Sequence, residues 1–292
     1  MVFKVLLLLV GVYACSTAII MIKLSTTEPM LLAGLRQLVA ALVLTPLYLR
    51  DLRRFNRRFG VSVVKDSVVP GILLGIHLIS WVIGGRLTLA ANASLIVNMI
   101  PAVMPVLLIA FAREIPKRRE MAGTVVALSG LVILGGGDIH FSAQTFKGDI
   151  ICFVSMLFFA SYMALARRYR EQGSLWLYVV PLYYVGGMFS LLISFVLTRP
   201  VFPDTPREIL LIVGLGLIPT VFGHTILNQS MRTVRGQTVS ILNLGQFVFA
   251  GVMGFFVLNE IPSLSFYAAS LFVVAGSVLA ILSGRGRRDK TS

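Results

Sequence analysis

Charge is what this sequence has least of. Only 13% of its 292 residues are charged, against roughly 25% in an ordinary soluble domain, and that scarcity excludes a water-soluble fold. Cysteine is nearly missing as well. Cys15 and Cys152 are the only two, and both lie inside apolar runs, so no secreted-type disulfide framework is available. Acid is missing from the middle of every apolar run, because all twelve Asp and Glu fall near or beyond the run ends. The runs hold just two histidines, His77 and His224. An intramembrane enzyme would need paired carboxylates, clustered metal ligands or an activated nucleophile. The residue supply for these is lacking, and neither catalysis, a metal nor a cofactor is expected.

What is present is apolar. The chain is 57% hydrophobic with a mean hydropathy of +0.89, and its long runs match the length of about 20 residues that crosses a bilayer as a helix. Ten such runs lie near 2–22, 30–49, 67–87, 93–112, 118–137, 148–167, 175–197, 209–229, 237–258 and 262–283. They are continuously apolar rather than alternating, so helices, not the strands of a closed barrel, satisfy the backbone in lipid. Pro29, Pro70, Pro116 and Pro262 fit the first turns of helices, where a missing N–H costs nothing. Near the start, "VYAC" imitates a lipoprotein cleavage site, but the apolar run continues through Cys15 to Ile22, long enough for a span instead. The expected fold is an all-α integral membrane protein with the lipid bilayer as its solvent.

The net charge of +14 then reports topology. Lys and Arg sit in short clusters between apolar runs, as spans require and as a nucleic-acid surface does not, so no nucleic-acid partner is expected. With ten spans, the side carrying the termini holds twenty of the 26 Lys and Arg, and the other side holds five: Lys23, Arg86, Lys147, Arg199 and Arg207. Arg36 alone lies within a span. The positive-inside rule places both termini in the cytoplasm, in a bacterial-type inner membrane.

Two stretches repeat 146 positions apart, "FAREIPKRRE" at 111–120 and "FVLNEIPSLS" at 256–265. At that offset Glu114, Ile115 and Pro116 meet Glu260, Ile261 and Pro262, Gly130 meets Gly276, and Ser94 meets Ser240. Two repeats follow, 1–146 and 147–292, of five spans each. An odd number of spans turns the second copy upside down, which explains why only the first Glu-Ile-Pro is crowded by bases. Inverted repeats are the architecture of alternating-access carriers.

The stretches "GLRQLVAALVLTPLYL", "ANASLIVNMIPAVMPVLLIAFAREIPKRREMAGTVVALSGLVIL" and "GHTILNQSMRTVRGQTVSILNLGQFVFAGVMGFFVLNEIPSLSFYAASLFVVAGSVLAIL" resemble the EamA-like, ten-helix branch of the drug/metabolite transporter superfamily. That resemblance implies export of amino acids, related metabolites or drugs, and a cavity among spans three, four, eight and nine. One departure stands out: where many relatives read Glu-Pro after a Gly in span nine, this chain reads Gly245, Gln246, Phe247.

Polar residues buried in lipid are costly, so those within spans are the candidates for a solute site. His77, Ser80, Trp81 and Gly84 share one face of span three, and Thr220, His224 and Asn228 one face of span eight. Asn98 accompanies Pro101 and Pro105 in span four, and Asn243 accompanies Gln246 in span nine. The two prolines should leave the carbonyls of Val97 and Pro101 without helical partners and bend the span. Tyr13 with Thr17 and Tyr162 with Phe159 are candidate aromatic walls. For any one of these, an interhelical hydrogen bond worth roughly 0.6 to 2 kcal/mol is the competing reading. Small-residue stripes, Gly186, Ser190, Ser194 and Ala269, Gly276, Ala280, suit close helix packing, with a homodimer as the alternative.

Together these readings point to a permease for small organic solutes. A cavity without acid suits neutral, zwitterionic or carboxylate-bearing solutes, and Arg36 either helps bind them or snorkels to the surface. Proton-coupled efflux through His77 and His224 and a solute channel are the alternatives.

Overall fold

A computed structural model describes residues 2–56, 60–137, 143–169 and 173–283. The expected bases Arg57, Arg58 and Arg170 and the basic tail 285–290 lie outside the described residues. Everything regular among the described residues is helix: α1 Val2–Leu24, α2 Pro29–Arg54, α3 Val61–Leu87, α4 Ala90–Val97, α5 Ile100–Leu107, α6 Arg118–Gly137, α7 Ala143–Arg168, α8 Leu175–Leu197, α9 Pro206–Leu215, α10 Thr225–Thr233, α11 Gly236–Asn243, α12 Gln246–Leu258 and α13 Leu264–Ser283. Wider π-helical turns occupy Leu108–Ala112 and Gly216–His224. Nine stretches of this set are long and apolar enough to cross a membrane; α6, whose first turn carries Arg118, Arg119 and Glu120, is not among them. The ten expected runs are therefore all helical, and nine meet the span criterion among the described residues.

Side-chain contacts define two ends of the bundle. At the far end, Glu28 accepts from Met30 and Leu31 N–H at 2.9 and 2.7 Å, capping α2 behind its first-turn Pro29. Glu208 there gathers the α1–α2 connection, accepting from Ser25 Oγ at 2.6 Å and Thr27 Oγ1 at 2.7 Å. At the termini end, Asp51 accepts from the hydroxyl of Ser174, which also caps α8. The acids thus sit where exposed helix N–H groups and loops need acceptors. Leu42, Val106, Val125, Phe256 and Leu271 point outward, an apolar girdle suited to lipid tails.

Glycine sets the closest crossings. A Cβ on Gly123 would stand 2.7 Å from Gly276 O, and one on Gly276 2.5 Å from Gly123 O, so α6 and α13 approach through backbone alone. The stripe Ala269, Gly276, Ala280 is spent on this crossing. The stripe on α8 is likewise inside the bundle, with Ser190 buried beside Gln37 and Ser194 donating to Glu28 Oε2 at 2.7 Å.

Candidate functional site

Prolines shape the helices that build the centre. Pro105 lacks the N–H that Pro101 O would accept, and Gln237 from α11 supplies it instead, Nε2 to Pro101 O at 3.1 Å. The span bends between α4 and α5, and Asn98 sits at the break with its Nδ2 on Ser94 O at 2.7 Å. Asn243 occupies the matching break between α11 and α12, and its Nδ2 donates to Asn98 Oδ1 at 2.7 Å. Gln246 Nε2 then donates to Asn243 Oδ1 at 2.6 Å. Asn98, Asn243 and Gln246 form one buried chain tying the two broken helices together.

Span eight behaves similarly. Pro219 lacks the N–H that would meet Leu215 O in an α-helix, the turn widens to π, and Thr220 Oγ1 donates to Leu215 O at 2.8 Å. Thr220 and His224 belong to the wide turn and Asn228 to α10, and all three side chains are buried. Gly216 allows α2 to lie against the turn, since a Cβ there would stand 2.5 Å from Val39 Cγ1 and 3.1 Å from Arg36 O. The approach brings Arg36 Nε within 3.1 Å of Thr220 Oγ1. Arg36 does not snorkel; it is 0% exposed.

Around Arg36 lies a small cavity lined by Cys15, His77, Trp81, Phe159, His224 and Gln246, among others. It measures about 20 Å³ by the positions open to a water centre, which admits roughly one water. The chamber is too small for an organic solute, which must widen it. His77 stacks on Phe159 with ring centroids 4.4 Å apart and planes 16° apart; Phe159 continues to Tyr162 at 6.0 Å. His224 tilts against His77 at 6.2 Å. His77 Nδ1 lies 3.2 Å from Ser155 O and 2.8 Å from Ser155 Oγ, and Ser155 Oγ donates to His77 O. A carbonyl only accepts, so we assign the proton of a neutral His77 to Nδ1. His224 Nδ1 is buried with no partner, as are both terminal nitrogens of Arg36. Asn228 donates to the Tyr162 hydroxyl and to His224 O at 2.8 Å.

The structure thus gathers His77, Trp81, His224 and Gln246 at the cavity, with Tyr162 and Asn228 joined just beyond His224. Asn98 and Asn243 reach it through Gln246. Tyr13 is not brought there: it is 51% exposed and meets Phe249 edge-on at 5.4 Å. Arg36, which the sequence left between binding and snorkelling, is placed at the cavity as well. Among the described residues no group of three His, Cys, Asp or Glu is placed to hold a metal ion. Toward the termini end a wider cleft, about 610 Å³, opens between α1, α8 and α10, with Trp176, Gln229 and Arg232 in its wall.

Known proteins match this architecture. A solved crystal structure superposes with a TM-score of 0.76 at 19% identity, covering 97% of this chain and 98% of that one, a likeness of fold. Two proteins of Archaeoglobus fulgidus, each described as an uncharacterized transporter, are similar in sequence. One is 26% identical over 248 residues, 84% of each chain. The other is 24% identical over 203 residues, 66% of this chain and 68% of that one. The profile of the EamA-like transporter family fits residues 2–136 and again 146–282. With a small central chamber between bent apolar helices and two profile matches that together span nearly the whole length, the chain belongs to the EamA-like transporter family, as a multi-pass membrane transporter of small molecules.

Proposed function

We propose that the chain exports small amino-acid-like or other carboxylate-bearing metabolites by alternating access, as two inverted five-helix repeats rocking about the central chamber. The observation that carries this reading is the chamber itself, small, central and walled by Arg36, His77, Trp81 and His224 with no acid among its lining. Two reciprocal contacts support the inverted repeat. Glu114 accepts from Gly236 N–H at 3.0 Å, and Glu260, 146 positions on, accepts from Ala90 N–H at 2.9 Å, 146 positions before Gly236. Each acid of one repeat caps the span-four-type helix of the other. Both termini are cytoplasmic in this reading, following the excess of Lys and Arg at their end.

A second mode, proton-coupled efflux, is favoured by one feature only, the two imidazoles 6.2 Å apart in the chamber. The test is transport in liposomes containing the purified protein. Solutes are first chosen by thermal stabilisation from amino acids, organic acids and lipophilic cations. Saturable counterflow of a stabilising acid with protons equilibrated by an ionophore is expected. Strict dependence on a pH gradient, lost when His77 and His224 are both replaced by Gln, would establish the proton-coupled mode. Unitary currents in place of counterflow would make it a channel.

A further inference from the structure

We propose that Arg36 is the anchor for an organic anion, a carboxylate without a neighbouring ammonium group, and that this makes the carrier an exchanger. The inference rests on the permease reading and narrows its substrate class.

A guanidinium inside a span is costly by any scale, and here the cost is not met by protein. Arg36 is fully buried; its Nε donates to Thr220, while both terminal nitrogens lack an acceptor. None of the ion pairs formed among the described residues includes it. Buried donors are normally satisfied and buried charges normally paired. The unsatisfied pair of nitrogens forms the end-on fork that matches a carboxylate with two parallel hydrogen bonds.

The fork is also fixed in place. The wide turn at 216–224, Gly216 beneath α2, and the Thr220 hydroxyl that bridges Leu215 O and Arg36 Nε hold the guanidinium at the chamber. The walls complete the description of the ligand. Trp81 and the stacked His77 and Phe159 present apolar and ring faces, which suit a flat or compact apolar body. An ammonium group would find no carboxylate among the lining residues and would lie beside a like charge. That favours a simple acid over a zwitterion.

Exchange follows from the small chamber. Its space, about 20 Å³, admits roughly one water. A bound carboxylate neutralises Arg36 there, whereas a bare guanidinium has one water at most for two donor groups. The loaded carrier therefore reorients faster than the empty one.

The intrinsic fluorescence of Trp81 reads the chamber directly once Trp176, which lies in the termini-end cleft, is replaced by Phe. In that single-tryptophan protein, cyclohexanecarboxylate is expected to bind at least tenfold more tightly than cyclohexanecarboxamide. Arg36→Gln should erase the preference and Arg36→Lys should retain part of it. Equal binding of acid and amide, or a preference that survives in Arg36→Gln, overturns the anchor. Should Arg36→Gln fail to fold, the acid–amide ratio of the parent and of Arg36→Lys decides. In liposomes, release of preloaded radiolabelled cyclohexanecarboxylate, beyond its leak from protein-free liposomes, should speed at least tenfold when the unlabelled acid is added outside. Net release as fast as exchange overturns the exchanger. Tight acid binding with no protein-dependent flux in either mode would leave the anchor standing and remove the permease reading instead.

Discussion

The two Glu-Ile-Pro connections are the same motif in two settings, and the contrast shows what surroundings do to one carboxylate. Both follow a left-handed residue, Arg113 at φ 51° and Asn259 at φ 57°. Both turn back identically, Glu114 N–H reaching Leu108 O and Glu260 N–H reaching Gly254 O, each at 3.1 Å. Beyond that they part. Glu114 is 8% exposed and holds Arg167 at 2.5 Å, with Arg235 at 3.9 Å. Arg235 also holds Glu120, a wholly buried acid, at 2.6 Å. Glu260 has Lys23 at 3.3 Å, both side chains about one-fifth exposed. The helix starts differ in the same sense. Glu120 reaches back to Lys117 N–H at 2.6 Å, whereas in the second copy Ser263 Oγ accepts from Phe266 N–H at 3.2 Å. Each connection carries one half of a capping box. The termini-end clasp is a buried ionic network; the far-end clasp is a single wet ion pair.

If the two clasps face opposite sides of a bilayer, single cysteines at Lys117 and Ser263, in a chain lacking Cys15 and Cys152, label from opposite sides with an impermeant reagent. This is an all-or-none outcome, and labelling of both from one side would break the comparison at its root.

Burial sets the next effect. Glu114→Gln removes the carboxylate that holds Arg167 in a poorly hydrated place, while Arg235 keeps Glu120, a loss of about 3 kcal/mol. Glu260→Gln should cost about 1 kcal/mol, because its pair is part-exposed. Denaturant titration of the purified protein checks both, and equal losses would show that burial does not separate the clasps.

The smallest difference is conformational. Arg113→Gly should raise stability by roughly half a kcal/mol by relieving a left-handed Arg, while Asn259→Gly gains nothing, since Asn tolerates that region. A gain at both positions would mean Asn259 is strained as well.

Much of the fold was legible because lipid imposes length: a helix that must cross needs its run of apolar residues, and all ten runs were visible. The bend in span four was legible too, since Pro101 and Pro105 name the carbonyls they orphan; Gln237, the donor that answers one of them, was not. Tyr13 shows why. A span is apolar on its lipid face and on its packed face alike, so periodicity gives no inward direction, and an aromatic in α1 reads the same either way. The π turn escaped for another reason. Pro219 announces a fault, but whether the chain kinks or widens depends on Thr220 and on how closely α2 lies over Gly216. Arg36 inherits that dependence: its sequence position left open whether it reached the surface, and tertiary approach decided.

Arg36 has one more consequence, for the energy stored across the membrane. On the proposed reading, in which the chamber lies on the solute's route, this buried positive charge repels any cation that tries to follow, as a lone Arg does in water pores that refuse protons. Protons and sodium ions would meet that barrier from either direction. On that reading a cell could keep the carrier abundant without short-circuiting its proton-motive force.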